Sequence, residues 1–242
     1  MRIRTVNGRL ILLVGIFFST ALLSFGQSVL PRHMFGLTLS GLFPAGDFKE
    51  HVSQDGFGMG LFYGWRLRHT PVFAGLELSV HIYGHAVRQE FLEGIPEVPL
   101  DVVTENNLVQ SLLYVRLQPR SGRVTTFVEG LAGISYFWTD TTISGHGAGD
   151  DDISSDTNFD DDTWTAGAGA GLSVRLGRPR VQVPGRAPRG VFLEFKVRYM
   201  AGGWANYLKK GSIVVVGNEF SFTPERSATS AVTAQAGVSW SF

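Results

Sequence analysis

The chain has 242 residues, 44% of them hydrophobic, with 21 Lys+Arg balanced by 21 Asp+Glu and no cysteine. No excess of positive charge is available to neutralise a nucleic-acid backbone. The lack of thiols excludes disulfide staples, thiol catalysis and cysteine–zinc sites, and the length suits one substantial domain.

The first element has the outline of an export signal. Arg2, Arg4 and Arg9 lead into an apolar run from Leu10 to Leu23 that carries no charge. That run is shorter than the roughly 20 apolar residues a membrane-spanning helix needs. Ser24 and Gly26 place small residues three and one positions before a cut ahead of Gln27. Residues 1–26 are therefore expected to be a cleaved signal peptide and 27–242 a single domain. No cysteine follows the cut to take a lipid anchor. Cleavage removes three of the 21 basic residues, so the mature chain has 18 against 21 acidic ones. No later apolar run is long enough for a spanning helix, so a membrane protein with this sequence would cross as strands.

Eight segments then alternate with a period of two, one face apolar and the other small or polar. Phe35, Leu37, Leu39 and Phe43 alternate with Gly36, Thr38 and Ser40. In "FGMGLFYGWRL", Phe57, Met59, Leu61, Tyr63, Trp65 and Leu67 oppose Gly58, Gly60, Gly64 and Arg66. In "FAGLELSVHI", Ala74, Leu76, Leu78, Val80 and Ile82 oppose Gly75, Glu77, Ser79 and His81. The other five span Val109 to Leu117, Val128 to Trp138, Trp164 to Leu176, Val191 to Tyr199 and Val232 to Phe242. Their apolar faces include Leu113, Val115, Ile134, Leu172, Val174, Leu193, Phe195, Val197 and Val238, against Arg116, Glu129, Arg175, Glu194, Lys196, Arg198 and Gln235. No charged residue falls on an apolar face.

Three features point the apolar faces outward into lipid. The polar faces are dominated by residues such as Gly167, Gly169, Gly171, Ser173 and Thr233, which suit a tight lumen better than a wet surface. Trp65, Trp138, Trp164, Trp204 and Trp240 all fall near segment ends, as in two interfacial aromatic girdles. Connections alternate in length: "RHTP", "QPRSGRV" and a proline-interrupted "GRPRVQVPGRAPRG" on one side, and residues 44–56, 83–108, 139–163 and 200–231 on the other. Short turns on the periplasmic side and long loops outside are the habit of transmembrane barrels. The expected fold is all-β: an eight-stranded antiparallel transmembrane up-and-down β-barrel. Its last segment, ending "GVSWSF", would close against the first, because an open edge in lipid leaves amides unsatisfied.

The export signal, "LFPAGDF" leading into "GFGMGLFYGWRL", the glycine-alternating "VEGLAGISYF" and the closing "AQAGVSWSF" resemble the small outer-membrane β-barrel proteins with OmpA-like and OmpX-like eight-stranded barrels. The resemblance implies residence in the bacterial outer membrane, contact with its lipids, and transient recognition by the barrel-assembly machinery through Trp240 and Phe242. It does not imply an activity.

Few positions offer chemistry. The acidic stretch Gly149 to Thr163 contains "DTNFDD" from Asp156, with oxygen ligands at the first, third and fifth positions of a calcium loop. Asp161 stands where the turn glycine belongs and Gly167 where the bidentate Glu belongs, so no metal is expected there. Glu77, Ser79 and His81 share one strand face but point to the presumed lumen, away from lipid. Glu77, Glu129 and Glu194 with Arg66, Arg116, Arg175, Lys196 and Arg198 form a mixed set able to pair across a narrow barrel. Arg120, Arg123, Arg178, Arg180, Arg186 and Arg189 crowd the short-turn side, without the interleaved aromatics a nucleic acid would stack on; leaflet phosphates suit them better. The expectation is a non-enzymatic barrel without cofactor, its lumen filled by side chains, serving structural, adhesive or partner-binding ends through its loops. A narrow pore or transport and secretion accessory is the alternative, and a lipid A-modifying enzyme the third reading.

Overall fold

The computed structural model describes residues 31–242 except 53, 68–69, 93–94, 120–121, 146–151, 178–189, 208–212, 217–218 and 223–224. The expected signal peptide lies outside the described residues, as do Arg120, Arg178, Arg180, Arg186 and Arg189. Eight long strands form the wall: β1 (His33–Pro44), β2 (Gly56–Arg66), β3 (Val72–Leu92), β4 (Ile95–Leu117), β5 (Val124–Gly145), β6 (Asp152–Leu176), β7 (Gly190–Gly202) and, after four short ones, β12 (Ala231–Ser241). They close in the order β1-β12-β7-β6-β5-β4-β3-β2, each antiparallel to its neighbours. The seam pairs Leu37 with Val238 and Phe35 with Trp240, so no sheet edge faces lipid.

Period-two alternation decides which side chain goes where. Leu39, Met59, Leu76, Leu113, Ile134 and Val197 are all more than half exposed or nearly so, while their neighbours Thr38, Ser40, Glu77, Arg116, Ser135 and Lys196 are buried. A wall apolar outside and polar inside is the inverse of a soluble barrel, and its solvent is hydrocarbon. Glycine on the lumen side makes the interior fit. A Cβ at Gly58 would collide with the Val80 carbonyl and the His81 ring, and one at Gly36 with the Phe62 ring.

The long connections differ from expectation. Residues 83–108 and 139–163 are largely strand: the β3–β4 ladder continues from Ile82↔Asn107 to Leu92↔Ile95, and the β5–β6 ladder from Ile134↔Trp164 to Ser144↔Asp152, with irregularities in each. These hairpins outgrow the lipid-facing segments, and beyond the bilayer a strand no longer needs the apolar lipid-facing side that gives the alternation marking it in sequence. Inside 200–231, β8 (Trp204–Tyr207) pairs with β11 (Glu225–Ala228) and β9 (Ile213–Val216) with β10 (Glu219–Phe222). In 44–56 the chain forms helix α1 (Asp47–His51), entered through Gly46 at φ 59° and anchored by the Ala45 amide donating to the Ser230 carbonyl at 2.8 Å.

Candidate functional site in the barrel lumen

The lumen holds a continuous chain of charge built from alternate residues of five strands. Starting at β12, Ser239 Oγ donates to Glu194 Oε1 at 2.7 Å. Glu194 Oε2 accepts from Arg116 Nη1 at 2.9 Å, and Arg116 Nε reaches Glu129 Oε2 at 3.0 Å. Glu129 Oε1 accepts from Arg198 Nε at 2.6 Å. Arg198 then grips Glu77 through both terminal nitrogens, Nη2 lying 2.7 Å from Oε2, and Lys196 Nζ lies 3.0 Å from the same oxygen. All six charged side chains are buried, three acids against three bases. Removing a charge from water is expensive, and only a neutral set with nearly every lone pair engaged can sit there. Aromatic rings complete the enclosure: the Arg116 guanidinium lies 3.9 Å from the Phe127 ring centroid and Lys196 Nζ 4.7 Å from that of Phe62. Met34, Phe62, Phe73, Leu112, Tyr114, Leu131 and Met200 form an apolar cluster around it.

Arg66 and Arg175, grouped with this set on sequence, stand apart from it. Each occupies the turn-side end of its strand. Arg66 lies over the Phe73 ring at 4.0 Å and its Nε donates to the Pro31 carbonyl at 3.3 Å; Arg175 lies 5.7 Å from the Phe192 centroid. Lumen parity was legible in the sequence, but depth along the barrel follows from stagger, which puts these two at the mouth.

Toward the long connections, a second seal has no counterpart in the sequence reading. Phe48 of α1 is 1% exposed and packs on Tyr83 and Phe137 at centroid distances of 5.6 and 6.1 Å. Tyr83 and Phe137 meet edge-on at 6.1 Å, and Leu42, Val52, Leu108, Ala205 and Ala231 complete the cluster. A connection lying over the mouth buries its one large apolar side chain there because water is the alternative. Phe48 was the available signal: a lone aromatic among charged residues in "GDFKEH".

Glu77, Ser79 and His81 do not form a nucleophilic triad. Glu77 is committed to Arg198 and Lys196, and His81 Nε2 is hydrogen-bonded to Ser40 Oγ at 2.8 Å, across β2 at the position Gly58 leaves open. The acidic stretch does not form a calcium loop either: from Asp152 onward it is extended strand, and Asp161 Oδ2 accepts from the Asn206 backbone and side-chain amides at 2.7 and 2.8 Å. Among the described residues no group of His, Asp and Glu is arranged to hold a metal.

The tryptophans divide between the two ends of the wall. Trp65 and Trp240 lie where β2 and β12 reach the turn side, Trp240 stacked on Phe35 at 6.1 Å. Trp138, Trp164 and Trp204 lie toward the long hairpins; Trp164 and Trp204 are exposed, whereas Trp138 donates through Nε1 to Asp140 Oδ2 at 2.9 Å and stacks on Tyr136. Between these ends no described outward position of the eight barrel strands carries a charge. Phe242 stacks on His33 at 5.6 Å, and its carbonyl accepts from the His33 amide at 2.9 Å.

A closed strand barrel with an apolar wall and its charges inside is built for a bilayer. The chain has the fold of a small eight-stranded outer-membrane β-barrel. Several solved structures are similar to this chain at low identity. Neisserial surface protein A is 10% identical over 87% of this chain and 97% of its own, with a TM-score of 0.43. The outer membrane protein OprG of Pseudomonas aeruginosa is 11% identical over 88% and 96%, with a TM-score of 0.46. The attachment invasion locus protein Ail of Yersinia pestis, in complex with the heparin analogue sucrose octasulfate, is 11% identical over 87% and 97%, with a TM-score of 0.36. No family model and no curated protein matches the sequence. Closed barrels of this kind belong to the bacterial outer membrane, and that is where this chain resides.

Proposed function

We propose that this protein is a non-conducting, non-enzymatic outer-membrane scaffold that holds long β-hairpins outside the cell for a structural, adhesive or partner-binding role. The observation that supports this reading is the double obstruction of the lumen, by the ion-pair chain from Ser239 to Lys196 and by the aromatic seal around Phe48. An eight-stranded barrel is just wide enough for its own side chains, and here those side chains are paired across it. The strand ladder beyond the apolar wall supports a display role, because paired backbone holds a projecting surface in place more firmly than an unpaired loop of equal length. A lipid-modifying role finds no support in Ser79 and His81, which are buried on the lumen side away from membrane lipid.

The experiment is single-channel recording on the full chain refolded into planar bilayers. Conductance is expected to stay at the bilayer background. Discrete open steps in the wild-type protein would replace this reading with that of a narrow pore.

A further inference from the structure

The outer wall carries a furrow of about 950 Å³ that crosses six of the eight barrel strands, β5, β6, β7, β12, β1 and β2. Two rows of outward residues form its banks. Register ties Leu39 to Ala236, Phe195, Leu172 and Thr126 along one bank. Along the other it ties Phe57 to Gly41, Ala234, Val197, Ala170 and Val128. The floor is the backbone of the inward residues between the banks, such as Ser40 and Gly171. Gly41, Ala170, Ala234 and Ala236 give the furrow its depth, because larger side chains flank them. The charged residue beneath it, Lys196, turns inward to Glu77 at 3.0 Å. Rows of register cross strands that tilt in a barrel, so the furrow climbs the wall. Thr126 lies near the start of β5, beside a short turn, whereas Phe57 lies near the start of β2, beside the long connection 44–56. Five steps between strands about 4.8 Å apart make the furrow about 24 Å long.

Inside a bilayer every neighbour of this wall is apolar, so close packing decides what stays on it. A furrow that bends round six strands of a convex wall can be followed along its length by a thin, flexible chain. A second barrel, itself convex, would meet it in one sector only. The two ends differ in charge. Exposed Asp55 lies two residues before Phe57, and exposed Arg123 three residues before Thr126, about 10 Å away along an extended strand. The Arg175 amide holds the Arg123 backbone in place, donating to its carbonyl at 2.7 Å. We propose that the furrow seats an acyl chain of an anionic phospholipid from the leaflet on the turn side, whose phosphate lies near Arg123. Banks on both sides multiply the dispersion contacts of the seated chain, and the small residues let it approach the backbone. The seat lies on the outside of the wall and is independent of whether the lumen conducts.

The test uses the full chain refolded into phosphatidylcholine nanodiscs in which one-fifth of the lipid is dipalmitoylphosphatidylglycerol. After release into mild detergent, retained lipid is counted by native mass spectrometry, and one phosphatidylglycerol per barrel is expected. Ala234→Leu with Ala236→Leu fills the furrow with apolar bulk at lipid-facing positions and leaves the lumen untouched. It is expected to lower retention about tenfold through lost packing, and Ala234→Leu alone, the milder change, to lower it measurably. Ala132→Leu, at an exposed outward position outside the furrow, is the control and should retain lipid like wild type. Arg123→Gln should lower retention about threefold, as for an exposed ion pair. Dicaproylphosphatidylglycerol, with the same headgroup on short chains, should not be held. Heat-modifiability on a gel verifies that each variant is a closed barrel. The proposal is overturned if the filled variants or Arg123→Gln retain the lipid like wild type, if Ala132→Leu loses it equally, or if the short-chain lipid is held as well. A dimer mass in place of the lipid-bound one would also overturn it and give the furrow to a second copy of this chain.

Discussion

Glu129 stands at the middle of the lumen charge chain, between two guanidinium groups. One carboxylate oxygen serves Arg116 and the other Arg198, so its loss takes one of two carboxylate partners from each of two buried guanidinium groups and leaves the set with an excess positive charge. Glu129→Gln keeps shape and removes charge. It is expected to cost about 3–5 kcal/mol, as for breaking a buried pair from one side, read as a lowered urea midpoint by tryptophan fluorescence in lipid vesicles. An unchanged midpoint would mean that water reaches the site and the lumen is wet. Gly58 carries the complementary lesson in volume. An added methyl there meets the Val80 backbone, which cannot swing away as a side-chain tip can, so Gly58→Ala should cost about 1–3 kcal/mol by overpacking. At this scale the sequence showed which residues face inward, since parity alone decides that. It did not show that Arg198 would bridge two acids or that His81 would meet Ser40, because those contacts depend on stagger between strands far apart in sequence.

Single strands answer to two solvents along their length. In β3, Leu78 is 48% exposed on the lipid side midway along the wall, whereas Tyr83, five residues on and on the opposite, lumen face, is buried under α1. Leu78→Arg is expected to destabilise the barrel by about 2–4 kcal/mol if that position lies near the bilayer midplane, measured by the same urea titration. Tolerance of the arginine would put the wall in water. Beyond the wall the ladder of β5 and β6 persists through Thr139↔Phe159 and Thr142↔Ser155, yet nothing in the lipid depends on it. Replacing residues 141–159 with a short Asn-Gly turn should therefore leave the barrel closed and heat-resistant on a gel. Loss of heat-modifiability would show that the hairpin is needed for closure. These extensions were invisible to hydropathy for a physical reason: beyond the bilayer a strand needs no apolar lipid-facing side to display, and the Asp-rich run from 150 to 162 resembles a loop. α1 escaped for the opposite reason, being too short for a helical period to register, so Phe48 alone marked it.

Across the whole molecule, the two seals lie in series along one lumen and share no residue: the aromatic cluster holds Phe48, Tyr83 and Phe137, and the ion-pair chain holds Glu77, Glu129 and Glu194 with their bases. Obstructions in series have a specific consequence for conduction, because a path opens only when every one of them is breached. Phe48→Ala should cost about 3–5 kcal/mol from the lost ring and the cavity behind it, yet the variant should remain silent in a planar bilayer because the ion pairs still bar the way. Glu129→Gln should likewise remain silent behind an intact aromatic seal. Combined, the substitutions should destabilise additively within about 0.3–0.5 kcal/mol, as expected for sites without shared partners, and the double variant should be the first to show open steps. Conduction by Phe48→Ala alone would reveal that the charge chain passes ions and that the aromatic seal is the only gate. Additive destabilisation with no conduction in the double variant would locate a further obstruction, for which the apolar cluster of Phe62, Tyr114 and Met200 is the candidate; Phe62→Ala added to that background would then be the variant that conducts.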